Sequence, residues 1–190
     1  MMLRPINFTH TDSMRTLIIQ PLTAKAFEPY GDVLGGAVTS GVFINAGTSE
    51  RVPLGAPDLT QDNGQASLNL YRARANTLPF TAMELERHCF GSQTFIPMQG
   101  VSFVVIVALG DPSLSSVGPS GEAIPGAAPL ENTIAAFWVD GSCGVTFKPG
   151  TWHHPLLAQQ EGNFIVLERK GPTVDCEIKS LVEPVHVVQA

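Results

Sequence analysis

Histidine is the side chain whose unperturbed pKa, about 6.5, lies closest to working pH. The five histidines of this sequence are therefore where proton-transfer chemistry is sought first. Three of them fall in two short segments. Glu86–Gly100 (ERHCFGSQTFIPMQG) places His88 five residues before Gln93, and Gln93 seven before Gly100. Gly144–Leu157 (GVTFKPGTWHHPLL) carries a Pro149-Gly150 turn into Trp152, His153 and His154. A histidine can take a proton from a reacting group and return it. The Gln93 amide can both donate and accept. Arg72, Arg74, Lys148 and Arg169 are the cations near the predicted strands, and an arginine fork binds both oxygens of a carboxylate. Each residue also has an ordinary alternative. His88 can be a hydrogen-bonded histidine ending ELERH, Gln93 a satisfied strand residue, and Arg72 and Arg74 solvent charges. Trp152 and Phe95 fit a core better than a substrate platform.

The elements that must position these residues read mostly as β. Leu68–Arg74 alternates apolar and polar residues as a strand does. Further strands are predicted at Val42–Asn45, Gln93–Met98, Val101–Leu109, Thr133–Val139, Gly144–Phe147, His154–Gln159 and Phe164–Arg169, with a weaker one at Val174–Ile178. Thr23–Pro29 has a threonine N-cap and suits a short helix stopped near Pro29 and Gly31. Phe80–His88 is ambiguous, because Thr81 and Glu84 have capping-box spacing in a segment that leads into strands. Adjacent residues on a strand face opposite ways. One of His153 and His154 should thus enter the interior, and at most one of Glu168 and Arg169 a pocket.

Composition supports a folded β-rich chain. Hydrophobic residues make up 44% of the 190 and charged residues 15%, which excludes disorder throughout. The 18 glycines and 15 prolines favour many short strands and turns, and hence an all-β jelly roll or barrel. Residues 1–13 are polar and aperiodic and read as a flexible extension, leaving 14–190 as one domain. Gly110–Pro129 is rich in Pro, Gly, Ser and Ala, and is predicted to be a mobile, dispensable loop. A formal net charge of −6 argues against nucleic-acid or anionic-membrane partners, while leaving room for a small anionic substrate. Cys89, Cys143 and Cys176 form no CxxC pair and read as free thiols of a reducing compartment. The opening lacks the apolar core of a secretory signal, and no run approaches the roughly 18 apolar residues of a membrane span. Together these predict a cytoplasmic protein.

The two chemical segments resemble the paired motifs of cupins. His88, Gln93 and Gly100 match the first in spacing, with glutamine where glutamate usually stands. Gly144, Pro149, Gly150 and His153 match the second. A closer resemblance links the chain to the ureidoglycolate lyase family. It is carried by Leu85–Met98 (LERHCFGSQTFIPM), Gly150–Leu157 (GTWHHPLL), Leu17–Leu34, Phe43–Gly47 (FINAG), Leu70–Ala73 (LYRA) and Phe164–Arg169 (FIVLER). It covers most of 14–180 and omits 110–129. The chain departs from bacterial relatives at Phe147 and Lys148, where a Tyr and a His often stand, and at Glu168, where an Asp often stands.

The resemblance implies a homodimeric cupin-like double-stranded β-helix that splits ureidoglycolate into glyoxylate and urea in allantoin and purine nitrogen catabolism. His88, Gln93, His153 and His154 become the catalytic candidates. Arg72, Lys148 and Glu168 become the substrate-binding ones, with Arg72 preferred because LYRA belongs to the resemblance. No metal site is assigned. His88 has no second histidine two residues away, and Gln93 is a weak ligand, so only a weakly bound divalent ion is left room. The alternatives are a metal-dependent cupin oxygenase or isomerase, and a non-catalytic cupin that binds a small carboxylate.

Overall fold

A computed structural model describes residues 15–35 and 40–189. The predicted extension at 1–13 lies outside them. Two large sheets dominate. In the first, the strand order runs from Arg15–Ile18 through Glu177–Val188, Phe80–Arg87, Trp152–His153, Phe103–Ala108 and Ala135–Val139 to Gln20–Pro21. Its two ends belong to one stretch of chain, Arg15–Pro21, which pairs in parallel with the last strand at one end and with Ala135–Val139 at the other. The sheet therefore comes round on itself as a barrel. A second sheet packs against it, ordered Gly31–Leu34, Gly144–Phe147, Gln93–Pro97, Gly162–Lys170 and Gln65–Ala73. The fold is all-β and cupin-like, as the sequence predicts.

Phe103–Ala108 shows why the layers hold. All six residues are buried. Phe103, Val105 and Val107 join the core between the sheets, while Val104, Ile106 and Ala108 join the core inside the barrel. A strand covered on both faces needs an unbroken apolar run rather than alternation. Burying each large side chain contributes about 1.5–3 kcal/mol.

Elsewhere the structure refines the sequence reading. The predicted short helix is present as Ala24–Phe27, capped by Thr23, whose Oγ1 accepts from the Ala26 amide at 3.2 Å. Phe80–Arg87 is a strand, not a helix. Its pairing with Glu177–Val188 shifts register between Ser180 and Val185. Opposite that shift Ala82 and Leu85, three apart, both enter the barrel core. Three-residue spacing is what imitates a helix. The weak strand at Val174–Ile178 is instead the start of a twelve-residue strand, Glu177–Val188.

The segment 110–129, predicted to be a mobile loop, holds regular structure and polar contacts. Ser115–Val117 and Ala123–Pro125 form an antiparallel hairpin. The buried Arg87 donates from Nη1 to the Pro125 and Gly126 carbonyls, both at 2.7 Å, and from Nη2 to Ser116 Oγ at 3.1 Å. Trp152 Nε1 also donates to the Gly126 carbonyl, at 2.9 Å. The anchors are backbone carbonyls, which side-chain composition cannot register.

Candidate active site

Four strands bring the candidate residues to one end of the space between the sheets. Glu86 and His153 are direct partners across neighbouring strands of the barrel. Gln93 and Glu168 are partners in the second sheet. Glu86 and His88 lie two apart, so period two puts them together on the cavity side. Arg87 takes the opposite face, over the Trp152 ring at 5.0 Å.

His153 is buried, with its ring stacked on Phe147 at 4.3 Å between centroids. Its Nδ1 lies 2.9 Å from the Thr151 carbonyl, and its Nε2 lies 3.1 Å from Gln93 Oε1 and 3.7 Å from Glu86 Oε1. Burial, reinforced by neighbouring His88, pushes its pKa down to about 3, so the ring is neutral. The Thr151 carbonyl and Gln93 Oε1 both only accept, so the single proton of the neutral ring can serve one of them at a time. His88 Nδ1 meets the Asp175 carbonyl, and its Nε2 is buried with no hydrogen-bond partner. The two imidazoles stand 5.4 Å apart. Burial also raises the Glu86 carboxyl above the usual carboxylate range.

Gln93 is engaged at both ends, its Nε2 donating to Glu168 Oε2 at 2.9 Å. Glu168 further accepts from Asn69 Nδ2 at 2.8 Å and from the Tyr71 hydroxyl at 3.4 Å. A cavity of about 200 Å³ opens beside this network, lined by His88, Ser92, Gln93, Glu168, Arg169 and Asp175 among others. Arg169 is the guanidinium on its wall. Its Nε and Nη2 are bonded to the Gln61 carbonyl and to Asp62, whereas Nη1 has only a long contact, 3.5 Å, to the Thr173 carbonyl.

The structure thus gathers His88, Gln93, His153 and Glu168, and leaves three predicted residues away. His154 turns to the other side and meets the edge of Phe80 at 4.9 Å. Arg72 is exposed between Tyr71 and Ala73, which face inward, so alternation sends it to the outer face. Lys148 donates to the Glu28 carbonyl near the short helix. The expectation that only one of Glu168 and Arg169 reaches a pocket is corrected, because both line the cavity where the strand nears its end. Sequence reasoning missed Tyr71, Asn69 and Asp175, and gave Glu86 no catalytic role. Once Phe80–Arg87 is a strand, the Glu86–His88 spacing is the signal that finds Glu86.

Glu86, His88 and His153 each offer one ligand atom, and the three atoms lie within 4.8 Å of one another. Two imidazoles and a carboxylate suit a divalent transition metal.

Comparison with known proteins places this geometry in context. A family model described as ureidoglycolate lyase matches residues 14–188. The chain is similar to proteins named ureidoglycolate lyase from Pseudomonas putida (strain W619) and Pseudomonas entomophila (strain L48). Each is 36% identical over 166 residues, which is 86% of this chain and 90% of the relative. A third, from Pseudomonas fluorescens (strain SBW25), is 35% identical over the same length.

Proposed function

The chain belongs to the ureidoglycolate lyase family, and from that premise we infer that it is a carbon–nitrogen lyase splitting ureidoglycolate into glyoxylate and urea. The observation that carries the mechanism is the buried, unpartnered Nε2 of His88 at the cavity. In the substrate one carbon bears a hydroxyl, a urea nitrogen, a hydrogen and a carboxylate. His88 Nε2 takes the hydroxyl proton as the carbonyl forms, and the resulting imidazolium returns it to the urea nitrogen as the C–N bond breaks. Glu86 stands beside His88 and stabilises that charge. Gln93, bonded at both ends, holds His153 and Glu168 in place.

The carboxylate clamp is Arg169 rather than Arg72 or Lys148, because Arg169 is the cation on the cavity wall. Arg169→Gln is expected to raise KM well above its effect on kcat, since a clamp on an unreacting carboxylate binds ground and transition states alike. Steady-state kinetics checks this, and an unchanged KM counts against the clamp. Product analysis tests the reaction itself. Urea and glyoxylate are expected in equal amounts; ammonia and carbon dioxide in place of urea would overturn the lyase reading.

A second reading has a specific observation behind it. His88 Nε2 is buried without a hydrogen-bond partner, and His88 stands within metal-ligand reach of His153 and the Glu86 carboxylate. A weakly bound divalent ion held by Glu86, His88 and His153 would satisfy that cluster and polarise a substrate oxygen. Elemental analysis and turnover before and after chelation separate the two readings. Full activity in metal-free protein removes the ion.

The finer assignments rest on the following. We place the reaction in allantoin and purine nitrogen catabolism, where ureidoglycolate arises. We place it in the cytoplasm on the strength of three unpaired thiols, Cys89, Cys143 and Cys176. Among the described residues no helix is long and apolar enough to cross a membrane. The acidic balance offers no broad cationic surface for nucleic acid or anionic lipid. Residues 14–190 act as one folding unit, because strands from both ends of the chain share one sheet. The active species is a homodimer, for which the exposed Leu68, Leu70 and Ile96 on the outer face of the second sheet supply an apolar surface.

A further inference from the structure

Among the described residues, two apolar features stand exposed. The first is a hairpin, Val42–Ile44 paired with Ser49–Arg51. It is a separate two-stranded sheet that pairs with neither large sheet. Val42 is 60% and Phe43 70% exposed, and none of residues 41–51 is buried. The polar contacts of Gly41 and Thr48 stay within the hairpin. Its tip places Asn45, Ala46 and Gly47 at φ of 52°, 55° and 87° in succession. The left-handed region is strained for alanine, whose Cβ crowds the following carbonyl. A lone two-stranded hairpin is at best marginally stable in water. One with a strained tip and bare apolar residues needs a surface to lie on.

The second feature is the outer face of the five-stranded sheet. Leu70, Ile165 and Ile96 stand in one row across three strands, with Leu68 and Leu167 in the next. Leu68 is 69%, Leu70 47% and Ile96 43% exposed. A contiguous apolar patch of this kind marks an interaction site rather than scattered surface residues. An apolar cleft of about 180 Å³ opens on it, between Leu54–Pro57 on one side and Thr94, Ile96 and Leu167 on the other.

We propose that the hairpin is an arm exchanged between two copies of this chain, with Phe43 of each copy seated in the apolar cleft beside Ile96 of the other. The occupant is a second copy because both halves of the contact are written on one chain. A single two-fold axis covers both arms and both faces at once. The segment returning from the arm, Leu54–Pro57, forms a wall of the cleft, so arm and receptor are adjacent on each copy. The proposal rests on the homodimer inferred above and assigns the surface that forms it.

A photo-crosslinking residue such as p-benzoylphenylalanine in place of Phe43 provides the test. Irradiation of the full chain is expected to join two chains, with the adduct in peptides spanning Leu54–Pro57 or Thr94–Ile96. In parallel, Phe43→Asp is expected to shift the mass from light scattering from two chains to one while the circular dichroism of the barrel is retained. A wild-type chain that is monomeric overturns the homodimer and the arm together. A dimer that persists in Phe43→Asp, or a crosslink to any other peptide, overturns the arm alone.

Discussion

His88→Ala is expected to lower kcat on ureidoglycolate by roughly 10²–10⁴-fold, the usual cost of losing a general base, with KM moving far less. His88 is the proposed base because it lines the cavity, and with Nδ1 bonded to the Asp175 carbonyl the base form of the ring carries its lone pair on the buried, unpartnered Nε2. His88→Asn keeps a polar group but removes the basic nitrogen, and should be as slow as the alanine variant. His154→Ala is the contrast. Its ring lies on Phe80, on the other side of the strand, so near-normal kcat is expected. Near-normal kcat in His88→Ala, with the fold intact, removes the base assignment. A His154→Ala variant as slow as His88→Ala would show that alternation misassigns the inward histidine.

Arg87→Met carries the largest expected loss of stability. Arg87 is 1% exposed and satisfies five acceptors' worth of contacts: Glu177 twice, Ser116, and the carbonyls of Pro125 and Gly126. Methionine fills part of the volume but leaves those groups without their donor. Arg87 is buried while Glu177 is 33% exposed, so the loss is expected near the lower end of the about 3–5 kcal/mol that breaking a fully buried pair costs. For a chain of this size that lowers Tm by roughly 6–20 °C. Thermal unfolding measures it, and hydrogen exchange locates it. Protection should fall first in 110–129 and at Glu177, while Gln93–Pro97 in the second sheet keeps its own. A loss below about 1 kcal/mol would mean that the hairpin does not depend on Arg87.

Arg87 also illustrates where a sequence stops speaking. It lies between two site residues, Glu86 and His88, yet alternation turns it to the other face, where it holds the carbonyls of a loop some forty residues away. Nothing local announces that partnership, because carbonyls are the same in every residue. The composition of 110–129 therefore predicted freedom where the structure has a pinned hairpin.

The sequence by itself determined the β class, the short capped helix, the strands with clean alternation or unbroken apolar runs, and the two segments that carry His88, Gln93 and His153. Those are local matters: turn residues, period two and motif spacing operate over a few positions. Only the tertiary structure decided which histidine faces inward, because a strand's period says that His153 and His154 diverge but not which face is covered. It alone put Arg169 rather than Arg72 on the cavity wall, since the inward turn of Tyr71 depends on a strand pairing nearly a hundred residues away in Gly162–Lys170. It also brought Glu86 beside His153, two residues far apart in sequence and opposite each other on neighbouring strands. Register between distant strands is set by the packing of the whole sheet, and no single segment contains it.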